Sequence, residues 1–225
     1  MILSVFPKKR QAVACLMAAA GIVLILSGGL SEAPVVFCGA AIIALLPMLF
    51  SLVSLTSSPA TTALAVWILV ASLLCGEALG FYYRIALWDD HLHLLSGAFF
   101  ALLGMAYFPG RYQVLGGLSV SALGNSMWEV IEYAADRGLG TNMQKDSIIT
   151  PPWLPWMAHR AQYVGQIDVG LYDTMTDILV GTAGAFLVFL ICRMTPPSRR
   201  GWLIPQNADC CEKGDTPRGQ QDTLS

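Results

Sequence analysis

Apolar and polar positions alternate on a long scale along this chain. Six apolar stretches stand at about residues 11–30, 35–55, 63–81, 91–108, 113–135 and 171–192. Each approaches or reaches the roughly 20 residues that carry a helix across a bilayer core. Most breaks are short: "SEA" ahead of Pro34, "TSSPATT" at 56–62 and "PGR" at 109–111. The exception is 136–170, which holds "PPWLPW". The pattern predicts an all-α polytopic transmembrane bundle of about six spans, one domain over residues 1–194. Residues 195–225, rich in Pro, Gly and polar side chains, are expected to form a disordered tail. Lys8, Lys9 and Arg10 ahead of the first stretch resemble a signal peptide, but Pro34 makes a poor cleavage site, so an uncleaved helix is expected. Pro47 is expected to kink the second span.

Composition narrows the class. Of 225 residues 55% are apolar and only 12% charged, about half the soluble norm, with mean hydropathy +0.59. A net charge of −2 without any Lys/Arg stripe excludes nucleic acid as a partner. The cysteines Cys15, Cys38, Cys75, Cys192, Cys210 and Cys211 form no CxxC, and predict neither a disulfide framework nor a cysteine zinc site.

Basic residues set the expected orientation. Lys8–Arg10, Arg111, Arg193, Arg199 and Arg200 flank the spans on one side, which the positive-inside rule makes cytoplasmic. Both termini are then inside, and the connections 28–34, 82–90 and 136–170 face outward. Trp153 and Trp156 suit a segment at the lipid interface, and Trp67, Trp88 and Trp128 read as interface anchors or packing. The predicted location is the inner, cytoplasmic membrane, crossed several times, with membrane lipids as neighbours.

With that topology, the acids of the later spans converge. "LWDDHLHLLSG" opens the fourth span with Asp89, Asp90, His91 and His93. "WEVIEY" puts Glu129 and Glu132 near the outer end of the fifth, and "YDTMTD" puts Asp173 and Asp177 at the start of the sixth. Glu77 lies just below the outer end of the third. Residues three or four apart share a helix face. On the fourth span that face holds Asp89, His93, Gly97 and Gly104; on the fifth Ser121, Asn125, Glu129 and Glu132; on the sixth Asp173, Asp177, Gly181 and Gly184. A third-span stripe, Ser72, Gly76 and Gly80, lies beside Glu77. Small residues let membrane helices approach closely. The pattern predicts a tight bundle with a polar cup at its outer mouth. An ionised side chain at the bilayer centre costs roughly 2.5–3.5 kcal/mol, so the acids must hold protons, bind a cation or find a base.

Bland readings compete at several positions. Asp89, Asp90 and Asp173 suit a helix N-terminus, His91 is expected to face water or the interface, and Glu77 is expected to pair with Arg84. Glu129 and Asp177 have no such excuse, since each lies a turn or more into its span. Oxygen ligands plus one histidine suit Mg²⁺, Mn²⁺ or Zn²⁺. The predicted metal set is Asp89, His93, Glu129, Asp173 and Asp177, and the catalytic set His93, Glu129 and Glu132, with Glu132 or His93 as general base. A lipid-linked or envelope substrate would be handled there. Ion, proton or solute transport is one alternative, but the inner halves of spans four to six carry no ionisable residue to continue a relay. A non-catalytic accessory protein with a structural polar knot is the other. No HExxH, GxSxG, Walker A or Rossmann fingerprint is present.

"WDDHLHLLSG", "GNSMWEVIEYAAD" and "YDTMTDILVGTAGA" resemble the YjdF-like family of uncharacterised bacterial inner-membrane proteins and, more distantly, the VanZ-like proteins. The resemblance covers roughly residues 76–190. It implies a helical membrane fold with Asp89, His93, Glu129, Glu132, Asp173 and Asp177 at the matching positions, and no particular reaction.

Overall fold

A computed structural model describes residues 5–29, 33–108, 110–139, 143–144 and 169–207. The outer connection with Trp153 and Trp156, and the tail beyond 207, fall outside the described residues. The protein is mostly helical. Its long helices are α1 (Val5–Leu26), α2 (Ala33–Leu52), α3 (Pro59–Leu69), α4 (Trp88–Tyr107), α5 (Gln113–Leu139) and α6 (Val169–Met194). Four stretches are long and apolar enough to cross a bilayer: Lys8–Leu26, Ala33–Leu52, Pro59–Ala78 and Gly170–Met194. Helices α4 and α5, at 20 and 27 residues, have the length but carry the acids.

Helix starts and stops follow local chemistry. The Ser58 hydroxyl accepts from the Thr61 backbone N–H and Pro59 takes the first turn, so α3 begins at Pro59 and not near Ala63. Beyond Leu69 the helix widens into a π-helix, Val70–Ala78, which ends at Gly80 in the left-handed region (φ 70°). Helix α4 starts at Trp88, three residues before the expected His91, because Asp89 and Asp90 stabilise the positive end of the helix dipole. Neither acid caps it: the N-cap is Leu87, itself left-handed at φ 61°. Helix α2 runs through Pro47 without a break in its assigned span.

Two apolar clusters hold the fold. Met17, Val36, Ala40 and Ile43 join α1 to α2, with Val66, Leu69, Val70 and Leu73 packed against them. A second cluster unites Leu46 and Phe50 of α2, Ala98 to Ala106 of α4 and Ala185, Val188 and Cys192 of α6. Helix α4 is central, packed most extensively against α6 and α5.

The segment after α6 corrects one expectation. Residues 197–207 are not a disordered tail, but a short helix Pro197–Arg199, then α7 (Arg200–Leu203), then a strand. Ile204 is buried in the second cluster. The Leu203 carbonyl accepts from Ser58 Oγ at 2.7 Å and Thr61 Oγ1 at 3.1 Å. Strand β1 (Leu55–Thr56) pairs antiparallel with β2 (Gln206–Asn207). The Tyr107 hydroxyl donates to the Val53 carbonyl. The turns after α2 and α4 and the chain after α6 therefore meet at one end of the bundle. At that end lie Lys8, Lys9, Arg10, Arg111, Arg193, Arg199 and Arg200; every acid among the described residues lies toward the other.

Single cysteines placed in a cysteine-free background test this arrangement. Arg111→Cys and Ser198→Cys should share one accessibility to an impermeant thiol reagent in intact cells, and Gly138→Cys should show the opposite. Identical labelling of Gly138→Cys and Ser198→Cys would break the proposed alternation of ends.

Candidate functional site

The site forms where α4, α5 and α6 meet near the acidic end. Close approach comes first. A methyl group on Gly97 would land on the Gly181 carbonyl, and one on Gly184 on the Leu94 carbonyl, so α4 and α6 touch backbone to backbone. Just below the acids lies a satisfied polar layer. Ser121 Oγ donates to the Gly97 carbonyl (2.9 Å), Asn125 Nδ2 to the Ser121 carbonyl (2.9 Å), and Ser96 Oγ to Asn125 Oδ1 (3.3 Å). Gly181 leaves the space that the Asn125 amide fills. These bonds fix α4 and α5 in register one turn below Glu129, and the Asn125 amide packs on Gly181 of α6.

One turn outward sits His93, 4% exposed. Its Nδ1 faces Glu129 Oε1 at 3.6 Å. Its Nε2 faces Asp177 Oδ2 at 3.6 Å and Asp89 Oδ1 at 3.8 Å. Three helices thus present carboxylates to one imidazole, one of them on its own helix at i−4. Glu129, Glu132 and Asp177 are buried as deeply as His93. His93 Nδ1, Glu129 Oε1, Glu132 Oε2 and Asp177 Oδ2 are buried atoms with no hydrogen-bond partner among the described residues.

These distances matter because they are too long for the usual N–H···O bond, about 2.7–3.2 Å. A neutral imidazole has one N–H and one lone pair, so one side of the ring turns a lone pair toward a carboxylate. A shared proton, a bridging water or a metal ion reconciles the two. Ligand atoms about 2.0–2.2 Å from a shared ion stand about 3–4 Å apart, the spacing found here. Two sets of possible ligand atoms lie within 4.8 Å of one another: Asp89, His93 and Asp177, and His93, Glu129 and Glu132. Asp173 belongs to neither set; it is half-buried, one turn outward from Asp177 on α6.

Other groups were not singled out from the sequence. Trp128 Nε1 donates to Glu132 Oε1 at 2.7 Å, so this tryptophan positions a site carboxylate; its i,i+4 spacing was the available signal. Tyr82 lies between π-helix and α4, its ring seated on Gly76. Burial, then the nearby Asp89, Glu77, Glu132 and Asp177, pushes the phenol pKa up, which keeps a neutral hydroxyl beside the acids. Asp136 accepts from the backbone N–H of Met143 (2.7 Å) and Gln144 (2.8 Å), and the Gln144 amide donates to Thr174 Oγ1 (2.8 Å). That chain of contacts ties the end of α5 to α6 beside Asp173.

His91, expected to face water or the interface, is half-buried beside Trp67 and Trp88. Its Nε2 accepts from Trp67 Nε1 and its Nδ1 lies against the Trp88 carbonyl, both at 3.2 Å. The ring is held by two tryptophans, outside both ligand sets around His93. Trp67 and Trp88 serve as internal hydrogen-bond donors as well as apolar surface, Trp88 donating to the Ala71 carbonyl at 3.3 Å.

A family model described as "Predicted membrane protein (DUF2238)" matches residues 10–196. No curated protein and no solved structure matches the chain.

Backbone contact between α4 and α6 makes a specific demand on residue size. Gly97→Leu and Gly184→Leu should each cost about 3 kcal/mol or more by overpacking, and leave little folded protein in the membrane. Gly138→Leu, where added atoms meet open space, should be tolerated. Normal abundance and melting of Gly97→Leu in detergent would show that the helices do not approach this closely.

Proposed function

The chain belongs to the DUF2238 family of predicted membrane proteins, and on that premise we propose that it is a six-span inner-membrane protein whose outward-facing acidic/His site uses a divalent cation on a lipidic or cell-envelope substrate. Helices α4 and α5 complete the six spans. Both run beside α6, and α4 contacts it from His93–Asp177 down to the cluster around Val188 and Cys192. Their polar side chains turn inward, which explains why their average apolarity is lower. Gathering of basic residues at the opposite end supports an outward-facing site. The YjdF-like resemblance belongs to this reading, and the VanZ-like one is its distant extension.

One observation carries the proposal: a single buried imidazole faced by carboxylates of three helices, at distances that suit a shared cation better than hydrogen bonds. Asp89, His93 Nε2 and Asp177 hold the ion, and Asp173 lies at the approach. A bound divalent ion makes water acidic enough to supply hydroxide near neutral pH. Glu132, aligned by Trp128, stands with Glu129 beside the other ring nitrogen, where a carboxylate could accept a proton. An ion held there would supply Lewis acidity toward an ester or phosphoester whose apolar part stays in the bilayer. Transport fits less well: below Asn125 no ionisable side chain on α4, α5 or α6 continues toward the basic end before Arg193. A purely structural knot fits less well too, because the structural hydrogen bonds are already complete in the Ser96–Asn125–Ser121 layer.

Thermal unfolding of the purified protein tests this. Saturating Mn²⁺ or Zn²⁺, at about 100 times its Kd, should stabilise the wild type by about 2.7 kcal/mol, and chelator should reverse it. The effect should grow from pH 6 to pH 8, as ligand protons compete less. His93→Gln should lose the response and His91→Gln should keep it. A wild type indifferent to both ions and to chelator would leave the structural knot as the better account.

A further inference from the structure

His93 presents not one nitrogen to a carboxylate pair but both. On the Nε2 side stand Asp89 and Asp177; on the Nδ1 side stands Glu129, and Glu132 completes the second ligand set. A histidine that binds one metal ordinarily donates its other N–H to a carboxylate, which orients the ring. Here that arrangement would need a hydrogen bond from Nδ1 to Glu129. The Nδ1–Oε1 separation is 3.6 Å, and Nδ1 is a buried atom without a hydrogen-bond partner among the described residues. Glu129 Oε1 and Glu132 Oε2 are equally without one. The second nitrogen is therefore placed as a ligand and not as an orienting donor.

We infer that the site is dinuclear, with the His93 ring bridging two divalent cations, one held by Asp89, Nε2 and Asp177 and the other by Nδ1, Glu129 and Glu132. This rests on the metal reading above and changes Glu132 from proton acceptor to ligand. When the second ion binds, the ring gives up its remaining N–H proton to solvent, so that each nitrogen donates an electron pair to one ion.

Charge points the same way. Four carboxylates, Asp89, Glu129, Glu132 and Asp177, join the ring in the two ligand sets, and neither set holds a basic side chain. After loss of the ring proton, the second ion still adds one net positive charge to the cup, which favours an anionic substrate. The substrate class that fits is a phosphate ester or diphosphate carried on an apolar chain. Its acyl or prenyl part would remain in lipid beside α4–α6, and its anionic head would enter from the acidic end.

The test is the number of ions per chain. Purified full-length protein in detergent is stripped with chelator and titrated with Mn²⁺ and, separately, Zn²⁺; bound metal is counted by equilibrium dialysis and elemental analysis. Two ions per chain are expected, with proton release on binding. Glu132→Gln should fall to one ion while the other site keeps its affinity within about threefold, and His93→Gln should lose at least tenfold affinity at both. One ion in the wild type would overturn the dinuclear inference and leave Glu129 as an orienting carboxylate, with the metal reading intact. No bound ion would overturn both. The wild-type count decides the matter even if a variant fails to fold, and size-exclusion profile and helical content identify that case. Two ions with no change in Glu132→Gln or His93→Gln would also overturn the assignment, placing the metals elsewhere.

Discussion

The whole acidic end of this protein depends on one constraint: a buried imidazole cannot hydrogen-bond to three carboxylates at 3.6–3.8 Å, yet it sits among them. Burying so many carboxylate oxygens together is among the most expensive things a helical bundle can do. The fold spends its most exacting packing on holding that arrangement in place. Glycines at 97, 181 and 184 bring α4 and α6 into backbone contact, and the amide of Asn125 with the hydroxyls of Ser96 and Ser121 locks α5 to them. Such precision one turn below a set of unsatisfied acids is what a preorganised cation site requires.

The opposite end is built differently. There the chain after α6 returns, and the Leu203 carbonyl takes two hydroxyl hydrogen bonds from the start of α3. Ile204 fills the apolar cluster and β2 pairs with β1. This clasp joins the first half of the bundle to the second without any charged contact inside the core. The result is a molecule with a polar, acid-bearing mouth and a closed, basic base. A one-sided site serves chemistry at a surface better than passage across it.

Much of the site was legible in the sequence because membrane helices obey two simple rules. Alternating direction places ends 89, 132 and 173 together, and three- and four-residue spacing places Asp89 with His93, Asn125 with Glu129, and Asp177 with Gly181. The convergence of Asp89, His93, Glu129, Glu132 and Asp177 needed nothing more. Asp173 belongs to the same face, yet stays one turn outside both ligand sets, a distinction that spacing alone does not make. The clasp was hidden because its sequence is polar and rich in Pro and Gly, and its partner is a backbone carbonyl, which carries no residue identity. The π-helix left no mark in the apolar pattern. The tryptophan contacts of His91 were not legible, because one partner, Trp67, lies 24 positions away on α3.

The central claim is that His93 is a metal ligand and not a packing device. X-ray absorption at the zinc edge of the Zn²⁺-loaded protein tests it most directly. The account predicts a shell of oxygen and nitrogen at about 2.0–2.1 Å with the multiple-scattering signature of imidazole, lost in His93→Gln. A thiolate shell at about 2.3 Å, or an imidazole signature that survives His93→Gln, would contradict it.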